Sequence, residues 1–199
     1  MAGRICARLA LEKLGQCASE QVWQGQDRCP VWPAGYCGSI SHTNNLAIAC
    51  VARSEGFRSV GIDVERIVAP QLAESVAALV LLDSDKGFAP DFDFNTFLTI
   101  VFSAKEALFK AIYPEVGYVF GFEEAAVLRI SKEVVTLEIQ RDLSDVWLAK
   151  TQVNVLYKVK DSLVYSWAVL KPAYTGTFSA PLDETLQKRP VPVVSGCRK

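Results

Sequence analysis

The run FNTFLTIVFSAKEALFKAIY, residues 94–113, constrains this chain more than any other stretch. It is apolar over much more than half of a helical circumference, so it predicts a buried helix that other elements must cover. Asp93 or Asn95 supplies the start and Pro114 the stop, which puts the helix at about 95–113. Yet the run carries Ser103, Glu106 and Lys110 at i, i+3 and i+7, one narrow polar stripe with Lys105 beside it. A buried carboxylate needs a partner to offset its desolvation. Two readings stay open from the residues alone. One is an exposed Glu–Lys pair worth about 0.2–0.5 kcal/mol. The other is a stripe bordering a groove, and therefore a site.

Composition narrows the class of function. The chain has 199 residues, half of them hydrophobic, and a net charge of −1. That describes a globular protein of one domain or two small ones. A charge so near zero argues against broad binding to nucleic acid, so function should lie in a local site. The six cysteines, at 6, 17, 29, 37, 50 and 197, show no C-x-x-C spacing, and there is a single histidine. A zinc site of the usual pattern and a disulfide framework are both disfavoured, and the cysteines read as reduced, cytoplasmic thiols. No apolar run reaches the eighteen or so residues of a membrane span. The N-terminus MAGRICARLALEKLG has charges where a signal peptide would be apolar.

Residues 3–14 predict an amphipathic helix, with Ile5, Leu9 and Leu14 toward the core, Arg4 and Arg8 on one side, and Gly15 as C-cap. It lacks an N-capping residue, which suggests an element entered part-way, with an upstream segment missing. LAIACVAR (46–53) reads as a buried strand, SEGFRSV as a hairpin-like connection, and GIDVERI as a strand. A helix is expected at about 70–82, followed after the long helix by the strand-like runs AAVLRI, VVTLEIQ, TQVNVLYKV and LVYSWAVL. Residues 171–199 hold four of the nine prolines without periodicity and read as a peripheral or disordered tail.

Two further stretches could carry chemistry. In GIDVE, Asp63 and Glu65 share one face of a strand, about 7 Å apart, a separation at which both can reach one divalent cation. The bland alternative is a strand with its polar face in water. In GSISHT, Ser41, His42 and Thr43 offer donors for a phosphate oxygen in a small-residue turn, or are simply exposed.

Taken in order, VWPAGYCGSISHT, GIDVE and FSAKEALFKA, with AGRICARLALEKLG ahead of them, resemble the Sfp-type 4′-phosphopantetheinyl transferases. The branch typified by the enterobactin synthase component is the most similar, over about residues 2–170. The resemblance implies an α+β fold, a pseudo-twofold pair of similar halves with the site at their junction, here residues 1–58 and 59–170. It implies transfer of the phosphopantetheine arm of coenzyme A to a serine of an apo carrier protein, with release of 3′,5′-ADP. Siderophore or other nonribosomal peptide synthesis is the implied setting, with a cytoplasmic monomer as the enzyme. Asp63, Glu65 and Glu106 would hold Mg²⁺, Glu106 would be the general base, directly or through a water, and Lys110 would neutralise phosphate charge. Ser41 and His42 would hold the 3′-phosphate, and Lys105 would border the site. Similar enzymes carry a basic stretch upstream of AGR, of which Arg4 is the remnant. That departure keeps an alternative in view: a truncated, catalytically impaired member that binds coenzyme A or carrier protein without turnover. A generic Mg²⁺-dependent phosphoesterase is a third and weaker reading.

Overall fold

The computed structural model describes residues 2–16, 21–88, 92–172 and 193–198. Helix α1 spans Ala2–Lys13, and Trp23–Gln24 (β1) and Pro30–Val31 (β2) form a two-stranded ribbon. Tyr36–His42 (β3) and Leu46–Arg53 (β4) pair antiparallel. The segment expected to turn at GSISHT is therefore strand as far as His42. Its small residues answer close neighbours: a Cβ on Gly38 would meet the Cys50 carbonyl and the Trp32 ring. Next come Ser59–Arg66 (β5), Ala73–Val80 (α2) and Phe94–Val116 (α3). Four strands follow: Ala125–Ile130 (β6), Val134–Ile139 (β7), Gln152–Lys160 (β8) and Leu163–Leu170 (β9). Val193–Arg198 form the last strand, β10.

These strands make two larger antiparallel sheets, ordered β10-β4-β3 and β5-β9-β8-β7-β6, so the fold is α+β as expected. Helix α1 lies on the small sheet and α3 on the large one. The tail expectation covered residues 171–199. Residues 173–192 lie outside the described ones, but 193–198 correct it, because β10 completes the small sheet by pairing with β4 from Val193↔Val51 to Arg198↔Leu46. Proline-rich composition masked a strand whose pairing partner is about 150 positions earlier in the chain.

Helix α1 also differs from expectation in which face it buries. Its core face is Gly3, Cys6, Ala7, Ala10 and Leu11, while Ile5 is 44% and Leu9 36% exposed. Small residues let the helix lie close on β3 and β4, where a Cβ at Gly3 would strike the Ile40 side chain without reaching 3 Å. Close approach outweighed residue size in choosing the buried face.

Helix α3 begins as read from the sequence: Asp93 is the N-cap, and its side chain accepts from the Thr96 amide at 3.1 Å. It does not end at Pro114. The helix runs through that proline to Val116 and closes at Gly117, in the left-handed region with φ 77°. The Gly117 amide donates to the Tyr113 carbonyl at 2.8 Å. Proline near a C-terminus forfeits one i→i−4 bond, here to the Lys110 carbonyl, and burial of Ile112 and Val116 keeps the last turn in place. Among the described residues, no helix is long and apolar enough to cross a membrane.

Candidate active site

The two sheets meet where β3 faces β5. Both strands are sheet edges, and their seam is closed by side chains. The Ile62 amide donates to Ser39 Oγ at 3.0 Å and the Val64 amide to Ser41 Oγ at 3.3 Å. Buried backbone N–H groups need partners, and these hydroxyls supply them where a carbonyl ladder does not. Alternation along β5 then sends Val60, Ile62 and Val64 to one side and Gly61, Asp63 and Glu65 to the side covered by α3. A cleft of about 420 Å³ opens on the first side, lined by Ile48, Cys50, Ile62, Tyr165 and Trp167 among others; of the three acidic candidates only Asp63 borders it.

Gly61 sets how closely α3 approaches. A Cβ there would fall on the Ala107 carbonyl oxygen and press on the Ala111 backbone and methyl group. With the helix seated that tightly, Lys110 Nζ reaches Asp63 Oδ1 at 2.6 Å and stands 3.6 Å from Glu106 Oε2. Ser41 Oγ joins them, donating to Asp63 Oδ1 at 2.8 Å and lying 3.4 Å from Lys110 Nζ. Asp63 is 1% exposed, and its second oxygen, Oδ2, is buried without a hydrogen-bond partner. Glu65, on the same face of β5, has its carboxyl pushed up to about 7, first by burial and then by the Asp63 charge, with Lys110 opposing. Burial also raises Glu106, against the pull of Lys110. Three carboxylates thus share one ammonium, an excess of negative charge in a place that disfavours it.

The structure gathers Asp63, Glu65, Glu106, Lys110 and Ser41. His42 follows Ser41 on β3 and is exposed, and strand alternation turns it to the face opposite Ser41. Arg4 is on the exposed face of α1, where Nη2 donates to Gln24 Oε1 at 2.6 Å; among the described residues no hydrogen bond or ion pair joins it to the acidic cluster. Lys105 corrects expectation outright. One residue from Glu106, it is rotated by about 100° around the helix and turns inward. Its ammonium is buried, pairing with Asp85 Oδ2 at 2.8 Å and donating to the carbonyls of Val80 at 2.7 Å and Phe122 at 3.3 Å. Burial lowers its pKa while the Asp85 charge holds it up. Ser103, at the head of the polar stripe, is fully buried with Oγ unpartnered. Sequence reasoning missed Ser39, Asp85 and Ser166. Ser166 is opposite Asp63 in the β5–β9 register and is also buried with Oγ unpartnered. Asp85 gave no sign of this role in the sequence, since two of its three partners, the Lys105 ammonium and the Val127 amide, lie 20 and 42 positions away.

Comparison with known proteins follows the same layout. Residues 1–52 match the 4′-phosphopantetheinyl transferase N-terminal domain, and residues 59–166 match the 4′-phosphopantetheinyl transferase superfamily. Enterobactin synthase component D of Escherichia coli (strain K12) is 33% identical over 158 residues, 78% of this chain and 73% of that protein. The chain belongs to the 4′-phosphopantetheinyl transferase superfamily. It is also 38% identical to 4′-phosphopantetheinyl transferase Npt of Nocardia iowensis over 125 residues, covering 62% of this chain and 55% of that one. With enterobactin synthase component D of Salmonella typhi it shares 34% identity over 142 residues, 70% of this chain and 57% of that one. The chain therefore spans a little over half the length of these two relatives.

The donor set suits a hard divalent cation: carboxylate oxygens only, an excess of negative charge, and an orphaned buried oxygen on Asp63. As the side chains stand, no three His, Cys, Asp or Glu groups among the described residues close on one point. Lys110 supplies the positive charge between Asp63 and Glu106.

Proposed function

We propose that this member of the superfamily transfers the 4′-phosphopantetheine moiety of coenzyme A to a serine hydroxyl of an apo carrier protein and releases 3′,5′-ADP. The observation that carries the reading is the acidic cluster at the seam, with Asp63 Oδ2 unpartnered and Lys110 on the other oxygen. In the transfer, the carrier serine Oγ forms a bond to the pyrophosphate phosphorus that bears pantetheine. The bond from that phosphorus to the bridging oxygen breaks, and the electron pair leaves with 3′,5′-ADP. Glu106, whose carboxylate faces Lys110 at the seam, takes the serine proton, directly or through a water. Lys110, on a long and part-exposed stem, moves its ammonium from Asp63 to the phosphate oxygens, where charge develops. Mg²⁺ held by Asp63, Glu65 and Glu106 would neutralise the pyrophosphate charge. His42, adjacent to Ser41 in the motif and exposed, would meet the 3′-phosphate of coenzyme A.

The two matched regions, 1–52 and 59–166, support a division into halves at 1–58 and 59–170 with the site between them. One chain supplies both sides of the seam, which supports action as a monomer. The described cysteines are free thiols, as suits a reducing cytoplasm. The enterobactin synthase relatives support a carrier protein of nonribosomal peptide or siderophore synthesis.

The test is intact-mass analysis of an apo carrier protein incubated with the purified chain, coenzyme A and Mg²⁺. A gain of one phosphopantetheinyl group is expected. Calorimetric binding of coenzyme A with no mass gain on any carrier tested would overturn the transferase reading in favour of a binding protein.

A further inference from the structure

Ser41 holds Asp63 in a way that leaves it nothing to offer a phosphate. A serine hydroxyl has one hydrogen to donate. Around Ser41 Oγ, the Val64 amide and the Lys110 ammonium are donors, at 3.3 Å and 3.4 Å, and among the described residues only Asp63 Oδ1, at 2.8 Å, is an acceptor. The single hydrogen is therefore spent on Asp63. Lys110 can leave Asp63, because its stem is long and 26% of its side chain is exposed. Ser41 cannot: it is 6% exposed on a strand and pinned by the seam bond to β5. Once Lys110 turns to another anion, Ser41 is the one partner left on Oδ1 among the described residues, while Oδ2 is free to face a cation.

We propose that Ser41 is a positioning residue, which fixes Asp63 by Oδ1 and thereby presents Oδ2 to the cation, and is not a ligand of the coenzyme A phosphate. The inference rests on the transferase reading above and departs from the role that the motif resemblance implies for this serine. It also separates two adjacent residues, leaving phosphate recognition at this strand end to His42. Ser39 provides an internal control. Its hydroxyl closes the same seam by accepting from the Ile62 amide, and it has no bond to Asp63.

The test uses the purified full chain and Mn²⁺, with free ion followed by electron paramagnetic resonance. Ser41→Ala should weaken Mn²⁺ binding by on the order of ten- to a hundredfold, as loss of a group that orients a metal ligand does. Ser41→Cys keeps the volume and gives up the strong donor, so it should show the same loss even where the alanine variant folds poorly. Ser39→Ala should lower the melting temperature and leave Mn²⁺ affinity unchanged. In transfer assays, the preference of Ser41→Ala for coenzyme A over 3′-dephospho-coenzyme A should equal that of wild type. Wild-type Mn²⁺ affinity in both Ser41 variants, or a collapse of that preference, overturns the inference and leaves the transferase reading standing. A wild-type chain that binds no Mn²⁺ overturns the metal reading and this inference with it. Mn²⁺ binding that depends on Ser41 in a chain that transfers nothing supports the inference and sinks the transferase reading.

Discussion

Glu106 reaches the acidic cluster only because Gly61 has no side chain. The stripe of Ser103, Glu106 and Lys110 was legible from helical spacing, and so was the pairing of Asp63 with Glu65 on one strand face. That the two groups meet depends on a contact between Gly61 and the Ala107 and Ala111 backbone, about forty-six positions away. Gly61→Ala should therefore cost about 1–3 kcal/mol in urea denaturation, since the obstacle is backbone that cannot rotate aside. It should also lower transfer activity by pushing α3, and Lys110 with it, off Asp63. Glu106→Gln tests the chemistry with little change in shape. It keeps the size of the side chain and removes its basicity, so the rate of carrier modification should fall by about 10²–10⁴-fold while the melting temperature stays near wild type or rises. A variant as active as wild type would remove Glu106 from the reaction.

Helix α3 is held at its start by a cap and along its far side by a buried ion pair. Asp93 accepts from both the Thr96 amide and hydroxyl, and these bonds lower its pKa. Asp93→Ala should cost about 1 kcal/mol by thermal or chemical denaturation. Because the folded-state pKa lies below the usual 3.8, the charged cap contributes fully above that value and is lost as pH falls through the depressed one. Asp93→Asn keeps a capping oxygen, so its stability should lack that fall in the acid limb. Lys105 was read as bordering the site because it adjoins Glu106 in sequence; the turn of about 100° per residue carries it away from the site and into the core. There, with Asp85, it ties α3 to the end of α2 and, through the Val127 amide, to β6. Lys105→Met should destabilise the protein by about 3–5 kcal/mol, because Asp85 would keep a buried charge without its counter-ion. Equal denaturation midpoints for this variant and wild type would show that the pair is dispensable.

At the scale of the molecule, an α-helix lies on each antiparallel sheet, and the site falls where one sheet ends and the other begins. The small sheet depends on the end of the chain. β10 pairs with the outer edge of β4 and packs Val193 and Cys197 under α1 beside Ala47, Ala49 and Val51. A chain ending at residue 172 should leave that edge of β4 bare, and unpaired edges promote association. It should melt at a lower temperature than the full chain and show larger species by size-exclusion chromatography. Since β4 carries β3 and β3 carries Ser41, the loss should weaken Mn²⁺ binding as well.

Local pattern alone was enough to find α3, most of the strands, and the ordered motifs that point to this superfamily. Hydrophobic period and capping chemistry act over a few residues, so they are readable from a few residues. Partners were not readable. Ser41 meets Asp63 across 22 positions and Lys110 meets Asp63 across 47. Which donor spends its hydrogen on which acceptor is settled by the fold that brings them together. The same holds for Pro114, tolerated because the turn beyond it is buried, and for β10, a strand only because β4 has an edge to offer. For the opening stripe, sequence supplied a carboxylate and a lysine on one helix face. Tertiary structure added the meeting of β3 with β5, the glycine on β5 that seats the helix, and the serine hydroxyls that place those charges on a common site.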